Sequence, residues 1–275
     1  MIPAPFEYRR ADSVDEAIQA LSGEPDAKLL EGGHSLLPLM RLRLARPSLL
    51  VDISRLSDQK YIKEDGEAVA IGALTRHHDV ANSEVLQELC PIVSYAAGEI
   101  GDPQVRHVGT IGGSVAHADP ASDMPTVLVA LGAEMVVRGP GGVRKVAAGE
   151  FFKGLFEPDL ATDEVLTEIR VPKTAGRGWS YLKFHRRAQD WALVGVAALA
   201  ENGSGPSVAL TNMADRPVRA TGVEEELAGG ADPAAASQRA AEGTSPPTDA
   251  FASAGYRQEL VKVLVRRALE EAQSR

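Results

Sequence analysis

Two pairs of adjacent glycines in the sequence have hydroxyl side chains nearby and could hold an anion. The first pair, Gly32 and Gly33, precedes Ser35, and the second lies in the stretch 109–123, GTIGGSVAHADPASD, between a threonine and a serine. Adjacent glycines let successive backbone N–H groups converge on an anion without interference from a Cβ atom. Two such loops could grip a diphosphate from both sides, although each pair could also be only a tight turn.

Other kinds of chemistry find less support. No G-x-G-x-x-G motif follows a strand and opens a helix, which argues against a Rossmann dinucleotide fold. The six histidines show no metal-ligand spacing such as H-x-x-x-H, which argues against a metal site. The single cysteine, Cys90, excludes an internal disulfide and any iron–sulfur cluster ligated by cysteines of this chain.

Length and charge narrow the class of protein further. A chain of 275 residues most readily forms two domains, and its formal net charge of −9 argues against nucleic-acid binding. No apolar run approaches the roughly 18 residues of a membrane-spanning helix. The N-terminus, MIPAPFEYRRADS, lacks the features of a secretory signal, so we expect a cytoplasmic protein.

The elements that must position the two glycine pairs follow from the apolar pattern. Residues 1–55 read as strand, helix, strand, loop and strand, with Ser13 and Glu16 at capping-box spacing. Residues 56–175 combine strands with helices, including a helix at PTVLVALG and paired strands around PGG. The segment KTAGRG is a candidate boundary, beyond which residues 176–275 read as three antiparallel strands followed by helices.

Together these stretches resemble a known family. EGGHSLLPLMRLRLARPSLLVDIS, GDPQVRHVGTIGGSVAHADPASDMPTVLVALGA, EVLTEIRVP and YLKFHRRAQDWALVGVAA are similar to the FAD-binding medium subunits of molybdenum hydroxylases, with the flavin domain of xanthine dehydrogenase a more distant relative. The resemblance implies an α+β fold in which a vanillyl-alcohol-oxidase-type FAD-binding domain (1–175) is built from two α/β subdomains (about 1–55 and 56–175). A smaller α+β domain with an antiparallel sheet and helices (176–275) would follow.

The resemblance also implies which residues contact FAD. The two glycine loops would bind the pyrophosphate of FAD, which would explain why a ligand approaches the backbone there. The first loop would consist of Gly32, Gly33, His34 and Ser35, with Leu36 beside the cofactor, and the second of Thr110, Ile111, Gly112, Gly113 and Ser114. Asp123 matches an acid that binds the adenosine ribose, although an aspartate before MPTVLVAL could equally be solvated or cap the helix.

Four further residues match cofactor contacts of the family. Ile100 would pack against the isoalloxazine ring and Leu166 near the adenine end, although both would be ordinary core residues without the resemblance. Lys183 would reach the flavin, where a fixed cation favours the reduced state, unless it is a surface lysine. Trp191 would stand in front of the ring and control access of the electron acceptor. The resemblance implies no catalytic side chain and no metal ligand in this chain.

The function implied is electron transfer within a molybdenum hydroxylase complex. FAD in this chain would take electrons from [2Fe-2S] clusters of a small partner subunit, which receives them from a large subunit holding the molybdenum cofactor, and would pass them to an external acceptor. A dimer of heterotrimers is expected. Two alternatives stay open: a stand-alone oxidase with flavin attached covalently at His34, and a binding module without activity.

Overall fold

The N-terminal part of the chain is a small parallel sheet whose strands are joined by helices. The computed structural model describes residues 2–201, 203 and 205–275. Strands β1 (Glu7–Arg10), β2 (Lys28–Leu30) and β3 (Leu49–Asp52) lie in the order β1-β3-β2, and helices α1 (Val14–Gly23) and α2 (Leu36–Arg41) connect them. Parallel strands need such crossovers. Helix α1 begins as the capping spacing predicts, because the Ser13 hydroxyl accepts from the Glu16 N–H at 3.1 Å.

The middle of the chain forms an antiparallel sheet of five strands with helices packed against it. Its strands and a small separate hairpin are β4 (Ile62–Asp65), β5 (Ala68–Gly72), β6 (Glu134–Gly139), β7 (Gly142–Ala147), β8 (Phe152–Gly154), β9 (Glu157–Pro158) and β10 (Val165–Pro172). The sheet order is β4-β5-β10-β6-β7, while β8 pairs with β9. The predicted strand pair around PGG is β6 with β7.

A run of helices lies between β5 and β6, the second and third strands of this middle region. They are α3 (His77–Ala81), α4 (Glu84–Leu89), α5 (Pro91–Gly98), α6 (Pro103–Arg106), α7 (Ile111–His117) and α8 (Asp123–Leu131), and the short α9 (Ala148–Phe151) follows β7. Buried side chains of α5, α7 and α8 join those of β5, β6 and β10 in one apolar core. This core holds the loops that carry the candidate site residues in fixed positions.

The C-terminal part contains a second antiparallel sheet covered by a long helix. Strands β11 (Trp179–Phe184), β12 (Val194–Leu199), β13 (Ser207–Thr211) and β14 (Val218–Arg219) lie in sequence order, so the structure adds one short strand to the three predicted. Helices α10 (Thr221–Ala228), α11 (Pro233–Ala236) and α12 (Ala254–Ser274) follow. Apolar residues of α12 pack on β12 and β13 in a core of their own.

The expected α+β class is confirmed, and one local expectation needs correction. The second glycine pair does not lie in an open loop, because Gly112 and Gly113 form the first turn of α7. Thr110 caps this helix, with its hydroxyl accepting from the Gly113 N–H at 3.2 Å. Within the described residues, no helix is long and apolar enough to span a bilayer.

Candidate functional site

The first glycine loop presents a row of free backbone donors. Within the described residues, the N–H groups of positions 33 to 36 donate to no acceptor of the protein. Gly33 makes this possible because its φ of +71° lies in the left-handed region, which side chains with a Cβ rarely adopt. Consecutive unpaired N–H groups around a turn form a concave anion site. His34 and Ser35, which extend from this turn, are exposed.

The two glycine runs, although distant in sequence, touch each other. A Cβ atom on Gly32 would lie 2.5 Å from the carbonyl oxygen of Val108 and 3.1 Å from the Cα of Gly109. The missing side chain therefore lets the first loop lie directly against the backbone that leads into the second run. The sequence joined these loops through a shared diphosphate, and the structure shows that their backbones also touch directly.

The second run differs from the first because its N–H groups already have partners. Ile111 donates to the Thr75 carbonyl at 3.0 Å and Gly112 to the Ala73 carbonyl at 2.8 Å. A Cβ on Gly112 would lie 2.5 Å from that same Ala73 oxygen. The absence of a side chain at position 112 thus makes room for the Ala73 carbonyl of the protein's own backbone.

In the second glycine run, only residues on the outer side of the helix, Gly113 and Ser114, are accessible to a ligand. Gly113 is exposed, its N–H donates to the capping threonine, and Ser114 is half-buried with an N–H that donates to the Thr110 carbonyl at 3.1 Å. Ile111 is fully buried in the core. The assignment of these residues to the cofactor stays a prediction, and the first loop carries the free backbone donors.

Two titratable groups beside the loops were not singled out from the sequence. Glu31 directly precedes the first glycine pair, and its Oε2 atom is buried without a partner among the described residues. Burial raises the pKa of Glu31, while the Thr110 hydroxyl and the charges of Lys60 and Arg76 act in the opposite direction. From the sequence, Glu31 could have been recognised as a site residue because it directly precedes Gly32.

His77 lies behind the second run. Its ring is buried, its backbone N–H donates to the Gly109 carbonyl at 3.0 Å, and its Nδ1 atom has no partner among the described residues. Burial lowers the pKa of His77 to about 4, so the imidazole is neutral near pH 7. The histidine therefore supports the run sterically and supplies no charge to it.

A second cluster surrounds the predicted acid and lysine. The Lys183 ammonium donates to Asp123 Oδ2 at 3.0 Å and to the Glu99 carbonyl at 3.1 Å, and the Tyr181 hydroxyl donates to Asp123 Oδ1 at 2.6 Å. The side chains of Lys183 and Asp123 are only 3% and 7% exposed. An ammonium carries three donors, so one N–H of Lys183 is available at this buried position.

Burial and hydrogen bonding within this cluster shift the pKa values of Asp123 and Tyr181. Burial raises the pKa of Asp123, while Lys183 and Tyr181 act in the opposite direction. Burial and the Asp123 carboxylate raise the pKa of Tyr181 well above its ordinary value, so the phenol stays protonated. Each Asp123 oxygen has one protein donor and could accept another, so Asp123 holds Lys183 in place while its contact with a ribose stays a prediction.

Tyr181 was missed from the sequence although a signal existed. It lies two residues before Lys183 on β11, and residues spaced by two project from the same face of a strand. Gly195 pairs with Lys183 in the neighbouring strand and leaves room for the hydroxyls of Thr211 and Tyr181. A Cβ at position 195 would lie 2.7 Å from Thr211 Oγ1 and 3.3 Å from Tyr181 Oη.

The remaining predicted residues lie in three different settings. Ile100 is half-buried and lies just after α5. Its carbonyl accepts from Arg106 Nη1 at 2.9 Å. The preceding residue, Glu99, is the one whose carbonyl accepts from Lys183. Leu166 is buried on β10 in the core. Trp191 is 69% exposed in the loop between β11 and β12. The structure brings Ile100 close to the Asp123–Lys183 pair and leaves Leu166 among core residues.

The comparisons with known proteins agree with this arrangement over the whole chain. Residues 4–174 match the family described as the FAD binding domain in molybdopterin dehydrogenase, and residues 179–272 match the CO dehydrogenase flavoprotein C-terminal domain. The chain belongs to the FAD-binding medium subunits of molybdenum hydroxylases. The resemblance seen in the sequence is thereby confirmed.

Individual members of this family are similar over their full length. The carbon monoxide dehydrogenase medium chain of Hydrogenophaga pseudoflava is 43% identical, over 100% of this chain and 99% of that protein. The glyceraldehyde dehydrogenase medium chain of Sulfolobus acidocaldarius is 40% identical, over 98% and 99%. A solved structure of the Hydrogenophaga pseudoflava enzyme superposes with a TM-score of 0.95 at 42% identity, over 100% of this chain and 99% of that chain.

The medium-subunit cofactor, FAD, fits two features of the structure. The free N–H groups of the first loop suit a diphosphate, since an anion can accept from several of them at once. The remaining N–H of Lys183, whose side chain is only 3% exposed, suits an acceptor atom of a ligand. Within the described residues, no group of three or more His, Cys, Asp or Glu side chains forms a metal site.

Proposed function

We propose that this chain is the electron-transfer subunit of a molybdenum hydroxylase. A small partner subunit supplies electrons from its [2Fe-2S] clusters, a large partner subunit with the molybdenum cofactor oxidises the substrate, and an external acceptor receives the electrons. FAD supplies the ability to exchange electrons singly and in pairs. The observation that carries the proposal is the full-length similarity to medium chains together with the unpaired donors of the first loop.

The residues of this chain bind and orient the cofactor in this proposal. Positions 33 to 36 hold the diphosphate through their N–H groups, with His34, Ser35 and Leu36 at its side and Thr110 to Ser114 on the opposite side. Lys183, held by Asp123, would offer its remaining N–H to the polar edge of the flavin. A fixed cation at that edge would favour the reduced cofactor. Ile100 would pack against the ring, Leu166 would lie near the adenine end, and Trp191 would cover the ring.

The same proposal divides the chain into two domains, 1–175 and 176–275, with subdomains about 1–55 and 56–175. The three large sheets follow one another along the chain in agreement with this division. The complex would be a dimer of heterotrimers in the cytoplasm. Its substrate stays unassigned, because the relatives are named for reactants as different as carbon monoxide and glyceraldehyde.

The alternative, an oxidase with flavin attached at His34, finds less support. His34 lies within the row of free N–H groups, where the diphosphate rather than the reactive ring is expected. Acid precipitation of the purified chain should release FAD into the supernatant. Flavin that stays with the precipitated polypeptide would favour the covalent oxidase instead.

The proposed role is tested by comparing the isolated chain with the complex. The isolated chain should bind FAD and show no bleaching of the flavin on addition of a hydroxylase substrate. Co-expression with the molybdenum and iron–sulfur subunits should give a stable assembly in which the substrate of that complex bleaches the flavin. Rapid substrate-driven bleaching in the isolated chain would contradict the electron-transfer role.

A further inference from the structure

The two residues that follow Trp191 are held by side chains from distant parts of the sequence. The Asn212 amide donates from Nδ2 to the Ala192 carbonyl at 2.9 Å, and the Arg257 guanidinium donates from Nη1 to the Leu193 carbonyl. Two consecutive carbonyls are thus fixed from two directions. Because Ala192 directly follows Trp191 in the chain, these bonds also restrict the backbone of the tryptophan.

Asn212 is itself firmly placed. Its backbone lies in the left-handed region with a φ of +59°, where asparagine is tolerated better than most side chains. Its N–H donates to the Pro120 carbonyl at 2.9 Å, in the segment that leads to Asp123. The amide therefore connects the Trp191 loop to the part of the chain that carries the acid of the candidate site.

Arg257 occupies a position that would otherwise suit an apolar side chain. It is fully buried, its Nη2 donates to Asp249 Oδ2 at 2.6 Å, and its Nε has no partner among the described residues. An unpaired donor in the interior costs free energy that a side chain of similar volume without polar groups would not. What the arginine adds is its pair of hydrogen bonds, one of them to the Trp191 loop.

The rest of this loop has fewer attachments. Residues 186–189 are exposed, and Gln189 has a φ of +73°. The Arg186 guanidinium lies over the Phe251 ring at 4.5 Å, on the surface near the segment that carries Asp249. Besides the backbone hydrogen bond from the Leu193 N–H to the Phe184 carbonyl at 2.8 Å, the two side-chain hydrogen bonds to Ala192 and Leu193 hold the chain that directly follows Trp191.

We infer that Asn212 and Arg257 are positioning residues that clamp the loop carrying Trp191. The inference that the clamp matters for electron delivery rests on the proposed function, in which Trp191 covers the flavin. The clamp itself is independent of that function. Loosening it should leave the diphosphate loop intact and should let the tryptophan move away from the ring.

Limited proteolysis measures the clamp directly, because trypsin cleaves after Arg186 and Arg187 when the loop opens. We expect Asn212→Gly and Arg257→Met, each in the full chain with FAD, to be cleaved there about fivefold faster than the unchanged protein. Glycine accepts the left-handed conformation at position 212, so that variant loses only the amide. The effects should multiply in the double variant, and Arg257→Lys should recover part of the protection.

Arg239→Met serves as a matched control, since Arg239 forms only partly exposed ion pairs elsewhere and its loss should leave loop cleavage unchanged. The second readout is oxygen consumption by the dithionite-reduced protein at equal FAD content, which should rise in the clamp variants. Lower melting temperatures with unchanged loop cleavage would overturn the clamp. Faster cleavage with unchanged oxygen consumption would overturn its link to electron delivery while leaving the FAD subunit assignment intact.

Discussion

The Lys183 ammonium lies 3.0 Å from Asp123 Oδ2 in a setting almost closed to water. The pair joins β11 of the C-terminal part to the start of α8, and the Glu99 carbonyl holds the same ammonium at 3.1 Å. Three segments far apart in sequence therefore meet at one cation. A group fixed in this way can act on a bound ligand without reorganising.

Removing the cation from this pair should be costly. Lys183→Met leaves the Asp123 carboxylate buried with only the Tyr181 hydroxyl, and we expect a loss of about 3–5 kcal/mol in the free energy of unfolding. The variant Asp123→Asn combined with Lys183→Met should recover part of that loss, which urea unfolding would measure. In protein that retains FAD, the reduction potential of the flavin should fall. A single variant as stable as the unchanged chain would contradict the buried ion pair.

The first loop should be sensitive to substitution at its left-handed glycine. Gly33→Val strains a backbone with a φ of +71° and brings a Cβ within 2.9 Å of the Leu37 side chain, so the loop with the free N–H groups must shift and we expect loss of FAD retention. Gly66→Val is the matched control, because Gly66 has a φ of +61° with nothing within 4 Å of its absent Cβ. Flavin absorbance after gel filtration measures the outcome. Equal FAD loss in both variants would show that strain alone is responsible.

Glu31 should make stability fall as pH rises. Its pKa is raised in the folded protein, mainly by burial, so the folded state binds a proton more tightly than the unfolded state does. Stability is then lost as pH rises from the ordinary value of 4.5 through the raised folded value. Glu31→Gln should remove this loss, and its melting temperature should exceed that of the unchanged protein by more at pH 8 than near pH 4.5.

His77 acts on stability in the opposite direction. Burial lowers its pKa from 6.5 to about 4, so the unfolded state binds the proton first as pH falls. The contribution of His77 is therefore complete above pH 6.5 and is lost between pH 6.5 and about 4, by about 3 kcal/mol in total. His77→Phe should flatten this part of the stability curve in urea titrations. An unchanged slope in His77→Phe would assign the acid loss to other groups.

Trp191→Ala should change electron delivery more than cofactor affinity. The tryptophan is 69% exposed, and the free N–H groups assigned to the diphosphate lie in a different segment, so FAD content should stay near that of the unchanged chain. Reoxidation by oxygen should accelerate when the indole no longer covers the ring. Stopped-flow measurements with oxygen and with a bulky dye would test this. Unchanged rates with both acceptors would show that Trp191 does not control access.

Some of the site was accessible from the sequence because its signals are local. The capping pattern at Ser13 depends on neighbouring residues alone and matches the structure, and the tight turn considered at Gly32 and Gly33 is equally local, with a φ of +71° at Gly33. The family motifs located Asp123 and Lys183, which the fold brings into contact. Their contact could not be read from spacing, since it depends on how β11 packs beside α8.

Other parts depended on packing and were missed. Gly112 looks like a ligand-facing glycine in the sequence, yet the space it leaves is filled by the Ala73 carbonyl. Arg257, which was not singled out from the sequence, lies on a helix rich in charged residues, and the fold buries it completely. In both cases the deciding atom is a backbone carbonyl from a remote strand or loop, which no local pattern reveals.

The contact of Gly32 with Val108 has a consequence for genetic selection. The atom that a Cβ at position 32 would meet is a carbonyl oxygen, which every amino acid carries. A side-chain replacement at position 108 or 109 therefore cannot make room for alanine at position 32. A suppressor screen starting from Gly32→Ala should return true revertants, and local compensating pairs should be absent from its survivors.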